Sequence, residues 1–330
     1  MQTKATENVN VQKWVAALAV ALFLVKIFAW YITKSVAILT DALESIVNVI
    51  AAFIGLYSLK ISAKPRDNEH PYGHGKVEFI SAAVEGTFIT LAGVFIFVEA
   101  ALALRYPRAT HQLNYGLILI VITAIINYAV GTLCLRTGKK NSSPTLIASG
   151  KHLQSDTYTT LGIIVGLVLL LVTKIWWIDA VVAMLFSGII IIAGYKIIRK
   201  SIGGIMDEAD KDLLARSIEI LDRQRRKNWV DVHNLRIIKY GPMMHVDCHL
   251  TVPWYLNVDE AHAEVEALTK LEESYDNGSL EFFVHTDGCR EFSCPICIKD
   301  DCPVRKHPFQ KRINWTVENV QVNTKHDINS

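Results

Sequence analysis

Charge of one sign is scarce in this chain: 34 Lys and Arg stand against 32 Asp and Glu, a formal net charge of +2 over 330 residues. So small an excess leaves no electrostatic footprint for a polyanion, and nucleic acid is not expected as a partner; the basic residues near 196–200 and 223–227 read as a membrane-edge anchor and a solvated helix face. A His-Glu-x-x-His motif is missing as well, which removes the signature of an intramembrane metallohydrolase with a water-activating base, so no enzyme is expected. No small-residue cleavage signal follows the first apolar run, which therefore reads as a retained span and not a signal peptide. Low-complexity tracts and short repeats are lacking. Beyond Lys200 no apolar run of membrane-crossing length recurs.

What is present divides the chain in two. At 51% hydrophobic, 20% charged and a mean hydropathy of +0.26, it is too apolar for an ordinary soluble protein and too charged to lie wholly in lipid. Six apolar runs, near 13–33, 36–59, 79–104, 113–135, 145–173 and 176–198, are each long enough to cross about 30 Å of hydrocarbon. The expected fold is an α-helical integral membrane protein with six transmembrane helices in residues 1–205, followed by a small cytoplasmic α+β domain in 206–288 and a Cys-rich extension in 289–330. Basic residues after spans two and four (Lys60, Lys64, Arg66, Lys76, Arg136, Lys139, Lys140) outnumber those on the other side (Lys34, Arg105, Arg108, Lys174), which puts both termini in the cytoplasm.

Two pairs of ligand-type side chains stand inside apolar spans: Glu44 with Asn48, and His152 with Asp156. Residues four apart in a helix are separated by about 400°, so each pair lies one turn apart on one face. A charged group at the bilayer centre costs about 2.5–3.5 kcal/mol on the insertion scale, so two such helices imply a binding function that offsets the cost. Three oxygens and an imidazole nitrogen suit tetrahedral Zn²⁺ and also admit Fe²⁺, Co²⁺ or Mn²⁺. Glu44 and Asp156, both ionised, would neutralise a divalent cation, and emptying the site would then take protons, a direct route to metal/proton exchange. The bland reading, polar groups bonded to neighbouring helices, suits Glu85, Glu99, Asn127 and Asp179. Asp41, one turn before Glu44, is open to three roles: entry ligand, proton relay or helix-to-helix hydrogen bond. Lys26 in span one is expected to snorkel.

From residue 207 the pattern reads helix (about 207–227), strand (230–239), strand (244–252), helix (257–274) and strand (280–286), with Gly241-Pro242 marking a hairpin turn. His245, Asp247 and His249 alternate with apolar residues, so a period of two sets all three on one strand face. Cys289, Cys294, Cys297 and Cys302 cluster further on; in a reducing compartment they argue for a metal over disulfides. A structural four-cysteine Zn²⁺ site is the leading expectation, with an iron–sulfur cluster or free redox-sensing thiols as alternatives. Cys134 and Cys248 read as buried small hydrophobes.

The loop Asp67-Asn68-Glu69-His70-Pro71-Tyr72-Gly73-His74-Gly75-Lys76, together with Thr40-Asp41-Ala42-Leu43-Glu44-Ser45, the His152/Asp156 pair and the six-span layout, resembles the cation diffusion facilitator family over about residues 10–288. The resemblance implies homodimeric divalent-metal exporters, commonly proton-coupled and often zinc-transporting. They alternate between inward-open and outward-open states around a site between spans two and five, which falls here on Glu44, Asn48, His152 and Asp156. The family's usual pattern is Asp or His at the first position and Asp at the second; Glu44 and Asn48 depart from it, so the metal preference stays open, an amide oxygen being a neutral, weaker donor. The same resemblance implies a loop site at Asp67, His70 and His74, although Pro71 and the glycines argue for a turn there and not a helix. It implies regulatory zinc ligands at His233, His249, His262, His285 and Asp287, with His245 secondary, in a metallochaperone-like (ferredoxin-like) tail. It also implies a charge interlock between Lys76 and Asp207 that pins the dimer. The connection around Lys139 to Pro144 has no His-rich loop, so a bacterial exporter of the inner membrane, moving Zn²⁺ or Fe²⁺, is the better comparison. The rival expectation is a metal-sensing or assembly protein on the same scaffold with little transport, motivated by Asn48 and the added cysteines.

Overall fold

In the computed structural model, residues 2–33, 36–105, 114–173, 177–241, 243–276 and 280–330 are described; side-chain surroundings are described for these except 2, 3, 29, 30, 32, 33, 36–44, 114–120, 163, 166–168, 170, 171, 179 and 272–276. The chain divides into two compact units, Gln2–Met206 and Asp207–Ser330.

The first unit is helical: α1 (Gln2–Thr33), α2 (Val36–Ser62), α3 (Val77–Arg105), α4 (Asn114–Lys140), α5 (Pro144–Thr173) and α6 (Ile178–Ile205). Among the described residues, five stretches are long and apolar enough to cross a membrane: Lys4–Phe28, Ser45–Ser62, Val77–Arg105, Val121–Lys140 and Ala180–Ile205. The expected sixth, α5, has the length, with Lys151, His152, Gln154, Ser155 and Asp156 in its first half and an apolar second half that includes side chains outside the described residues. The first helix starts well before its apolar run because its polar residues have partners. Gln12 donates to the Ala52 carbonyl at 3.1 Å, Asn141 donates to Asn8 at 2.6 Å, and Lys140 pairs with Glu7 at 3.0 Å. Lys26 does not snorkel: it is buried and donates to Ser45 at 2.9 Å, joining α1 to α2.

Helix α1 packs on α2, α3 on α6 and α4 on α5, with α5 also against α2, α3 and α6. Lipid offers no hydrophobic drive for this packing, so small residues carry the close approaches. A Cβ on Gly150 would stand 2.8 Å from the Gly131 carbonyl oxygen, so any side chain there would push α5, the helix bearing His152 and Asp156, off α4. Glu85 is buried and accepts from Ser149 at 2.7 Å, the packing role expected of it.

The second unit is α+β. After α7 (Lys211–Arg223), capped by Asp210 accepting from the Leu213 amide at 3.0 Å, come β1 (Asp231–Tyr240), β2 (Met243–Val252), α8 (Val258–Asp276) and β3 (Leu280–Gly288). Asn257 and Glu260 cap α8 reciprocally, each accepting from the other's amide at 2.9 Å. The sheet order is β1-β2-β3, antiparallel on one side of β2 and parallel on the other, the parallel pair being joined through α8. Pro242 of the expected turn lies outside the described residues, while Gly241 takes φ 62°, the left-handed region that glycine enters without strain.

The core of this unit holds Leu214, Ile218 and Leu221 from α7, Val232, Leu235 and Ile237 from β1, Val246, Cys248 and Leu250 from β2, and Leu268 from α8. Trp315 and Val320 belong to the same core, the latter from the single-turn α9 (Val317–Val320), so residues beyond 289 fold back onto the sheet. Arg225 fastens them. It lies 4.2 Å over the Trp315 ring, donates to the Trp229 and Ile313 carbonyls at 3.0 Å each, and also donates to Val230. Burial lowers the Arg225 guanidinium to about 10, which still leaves it charged at neutral pH. Cys134 and Cys248 are buried, as expected of small hydrophobes.

Candidate metal centres

Between α2 and α5, three of the four expected donors are joined. His152 Nε2 lies 2.9 Å from Asn48 Oδ1, and Asn48 Nδ2 donates to Asp156 Oδ2 at 2.9 Å. His152 Nε2 is also 3.9 Å from Asp156 Oδ1, as the one-turn spacing on α5 requires. An amide oxygen can only accept, so the imidazole carries its proton on Nε2 and presents a lone pair on Nδ1. Among the described residues, that Nδ1 is buried and has no hydrogen-bond partner. Glu44 lies one turn before Asn48 on α2; its side chain and that of Asp41 are outside the described residues.

The loop between α2 and α3 gathers Asp67, His70 and His74 by a turn, not a helix. The Asp67 carboxylate accepts from the amides of Glu69 at 3.1 Å and His70 at 2.7 Å, and Gly73 takes φ 89°. The result brings His70 Nδ1 to 3.0 Å and His74 Nε2 to 3.3 Å from the Asp67 oxygens, so one ligand atom from each residue lies within 4.8 Å of the others. Desolvation pushes the Asp67 carboxyl up, but hydrogen bonding to His70 and the nearby His74 outweigh it and hold it below the ordinary range.

The tail site is built by strand register. His233 pairs across the sheet with His249, and His249 with His285; one row along, Asp231 pairs with Thr251, and Thr251 with Asp287. A period of two puts both rows on one face. His249 Nδ1 is 3.2 Å, His233 Nε2 3.6 Å and His285 Nε2 3.9 Å from Asp287, and His233, His249 and Asp287 form a triad with ligand atoms within 4.8 Å. His262 lies exposed on α8, 3.7 Å from Glu266, and His245 is buried 3.0 Å from Glu281; among the described contacts neither joins this triad.

Three residues absent from the sequence reading complete this site. Asp231 lies 3.3 Å from His233 Nδ1 and 2.5 Å from His326 Nδ1, and accepts from the His326 amide at 3.0 Å. Burial alone would raise the Asp231 carboxyl; the His233 and His326 hydrogen bonds win and hold it well below the usual carboxylate range. Lys325 lies 3.3 Å from Asp287 Oδ1 and donates to the Gly288 carbonyl at 3.0 Å. Asp231 is legible in retrospect, two residues before His233 on the same strand face. Lys325 and His326 lie in a terminal run without periodicity and give no such signal.

Cys289, Cys294, Cys297 and Cys302 line one cavity of about 20 Å³, together with Val230, Pro253 and Arg305. The Cys289 sulfur accepts from the Trp254 amide and the Cys297 sulfur from the Lys299 amide, while burial pushes both thiols up. Tyr255 adjoins Cys302; burial and that thiol push its hydroxyl up to about 12. Lys76 directly precedes α3 in the helical unit and Asp207, at φ 58°, opens the second unit.

Long apolar helices with cation-type donors bridging two of them, continued by a small sheet domain with its own donor triad, define an integral membrane protein that handles cations. Residues 13–206 match the cation efflux transmembrane domain and residues 210–289 the cation efflux protein cytoplasmic domain. The chain is 32% identical over 250 residues to an uncharacterized transporter of Synechocystis sp., covering 76% of this chain and 81% of that one. It is 29% identical over 280 residues to the cation-efflux pump FieF of Salmonella arizonae and likewise to that of Salmonella schwarzengrund, covering 83% of this chain and 90% of each. The chain belongs to the cation diffusion facilitator family of divalent-cation efflux transporters.

Proposed function

We propose that this chain is a homodimeric, proton-coupled exporter that carries a divalent cation, Zn²⁺ first among Zn²⁺, Fe²⁺, Co²⁺ and Mn²⁺, out of a bacterial cytoplasm by alternating access, with both termini on the cytoplasmic side of the inner membrane. The observation that carries the reading is the Asn48–His152–Asp156 network between α2 and α5. The cation is its substrate, held by Glu44, Asn48, His152 and Asp156.

Chemically, the site works by exchanging one positive load for another. With Asp156 and Glu44 ionised, a divalent ion leaves the site neutral, which a low-dielectric surrounding favours. Release is driven by protons returning to the carboxylates and to His152, since each must be free of its proton to ligate. The Asn48 amide bridges the two α5 side chains in the cation-free arrangement; turning its oxygen to the cation frees Asp156 at the same time. The Asp67–His70–His74 loop site and the His233–His249–His285–Asp287 face are auxiliary cation sites. His262 is an outlying ligand. Cation bound to the tail draws the two cytoplasmic domains together and biases the membrane halves toward transport.

The test is uptake of Zn²⁺, Fe²⁺, Co²⁺ and Mn²⁺, each alone, into inside-acidic proteoliposomes with proton efflux recorded alongside. The reading stands if one ion enters, dissipates the pH gradient and is blocked by Asp156→Ala. If none moves while the tail still binds cation, the chain is a sensor on an exporter scaffold.

A further inference from the structure

The match to the family's cytoplasmic domain ends at residue 289, where the cysteine segment begins. We propose that Cys289, Cys294, Cys297 and Cys302 ligate an iron–sulfur cluster, not a single zinc ion.

Geometry separates the two. A structural zinc with Zn–S bonds of about 2.3 Å draws its four sulfurs to about 3.8 Å from one another and leaves no gap between them. Among the described residues, three or more ligand atoms come within 4.8 Å of one another only at Asp67–His70–His74 and at His233–His249–Asp287; the cysteines form no such group. They stand around a cavity of about 20 Å³ instead. A cavity holds a water at about 10–15 Å³, so this space exceeds what a closed tetrahedral site leaves. A cubane cluster carries each thiolate on a separate iron, with the sulfurs about 6 Å apart around an inorganic core, and needs such a gap.

The walls suit the same ligand. Arg305 donates to the carbonyls of Cys294 at 2.8 Å, Cys297 at 3.0 Å and Lys299 at 2.5 Å, so one cation folds the loop around the cavity and offsets part of the thiolate charge. The amides of Trp254 and Lys299 donate to the sulfurs of Cys289 and Cys297, the kind of bond that stabilises cluster thiolates. Cys289 follows β3 directly and its amide donates to the Val252 carbonyl at 2.8 Å, so the first ligand is pinned to the sheet. None of these residues belongs to the transport or tail cation sites, and the assignment does not depend on which ion is exported.

The test is chemical analysis of the full-length protein purified anaerobically in detergent, with iron, zinc and acid-labile sulfide measured per chain, followed by EPR before and after dithionite. Equal iron and sulfide, about four of each for a cubane, with a visible band bleached on reduction, supports the cluster. One zinc per chain without labile sulfide overturns it, as does protein without either metal after anaerobic reconstitution with ferrous iron and sulfide. Cys294→Ser should remove the band and most of the labile sulfide while zinc titration of the His233 site is retained. If the variant does not fold, the native stoichiometry alone decides.

Discussion

The donors between α2 and α5 and the donors on the tail sheet differ in how they are held. In the first unit, Asn48 and Asp156 reach across from separate helices and meet through a neutral amide, and among the described residues no backbone pairing joins those helices. On the tail, His233, His249 and His285 sit in register on three hydrogen-bonded strands, and Asp231 and His326 fix the first of them from behind. On the proposed reading, the site that releases its ion is built from few donors on two separate helices. On the same reading, the tail site that senses the ion is built on a sheet and backed by a second layer of side chains.

The largest way to break this contrast is Asp156→Asn. It removes a charge the incoming cation needs while keeping the shape, and export should fall at least ~100-fold, equivalent to about 2.7 kcal/mol, with zinc affinity of the tail unchanged in calorimetric titration. A parallel loss at the tail would show that the two sites are one energetic unit. Next in size, Asp287→Ala takes away the carboxylate that His233, His249 and His285 all face, and tail affinity should drop about 100-fold while maximal export changes only a few-fold. Export lost as completely as with Asp156→Asn would make the tail obligatory for transport.

Much of this was legible in the sequence because the governing periods are short. The i, i+4 spacing of His152 and Asp156 and the alternation through His245–His249 follow from helix and strand geometry alone; the tail strands and α2, α3 and α5 fall within a few residues of expectation, while α1 begins well before its apolar run and α4 and α6 run past theirs. Register was not legible: nothing local says that His233 stands opposite His249, since the pairing depends on the irregularity between His233 and Arg236 and on Asn234 at φ 53°. Lys26 was misread because snorkelling ignores the neighbouring helix, which offers Ser45 as a nearer partner than water. The return of the chain beyond 289 was hidden for a similar reason: Trp315 and Val320 are isolated apolar residues in a polar stretch, and only the tertiary fold shows that they fill the sheet's core.

Smaller effects sharpen the contrast by testing the backing layer. Asp231→Asn keeps the shape but withdraws the charge that orients His233 and binds His326, so tail zinc affinity should fall about tenfold. Unchanged affinity would mean that Asp231 serves only to anchor the end of the chain. Lys325→Met should act the other way. Its ammonium stands 3.3 Å from Asp287 Oδ1 and is largely enclosed, so an arriving cation must displace a charge already in place. Desolvation pushes the Asp287 carboxyl up, but Lys325 and His249 outweigh it and keep it below the ordinary range, so the carboxylate is ionised and contested at neutral pH. A partly screened pair of this kind is worth about 1 kcal/mol, so removing the lysine should tighten zinc binding at the tail about fivefold, with the gain shrinking as salt rises. Weaker binding in Lys325→Met would make the lysine a support for Asp287 and not its competitor, because the carboxylate would then need the ammonium to hold it toward the histidines.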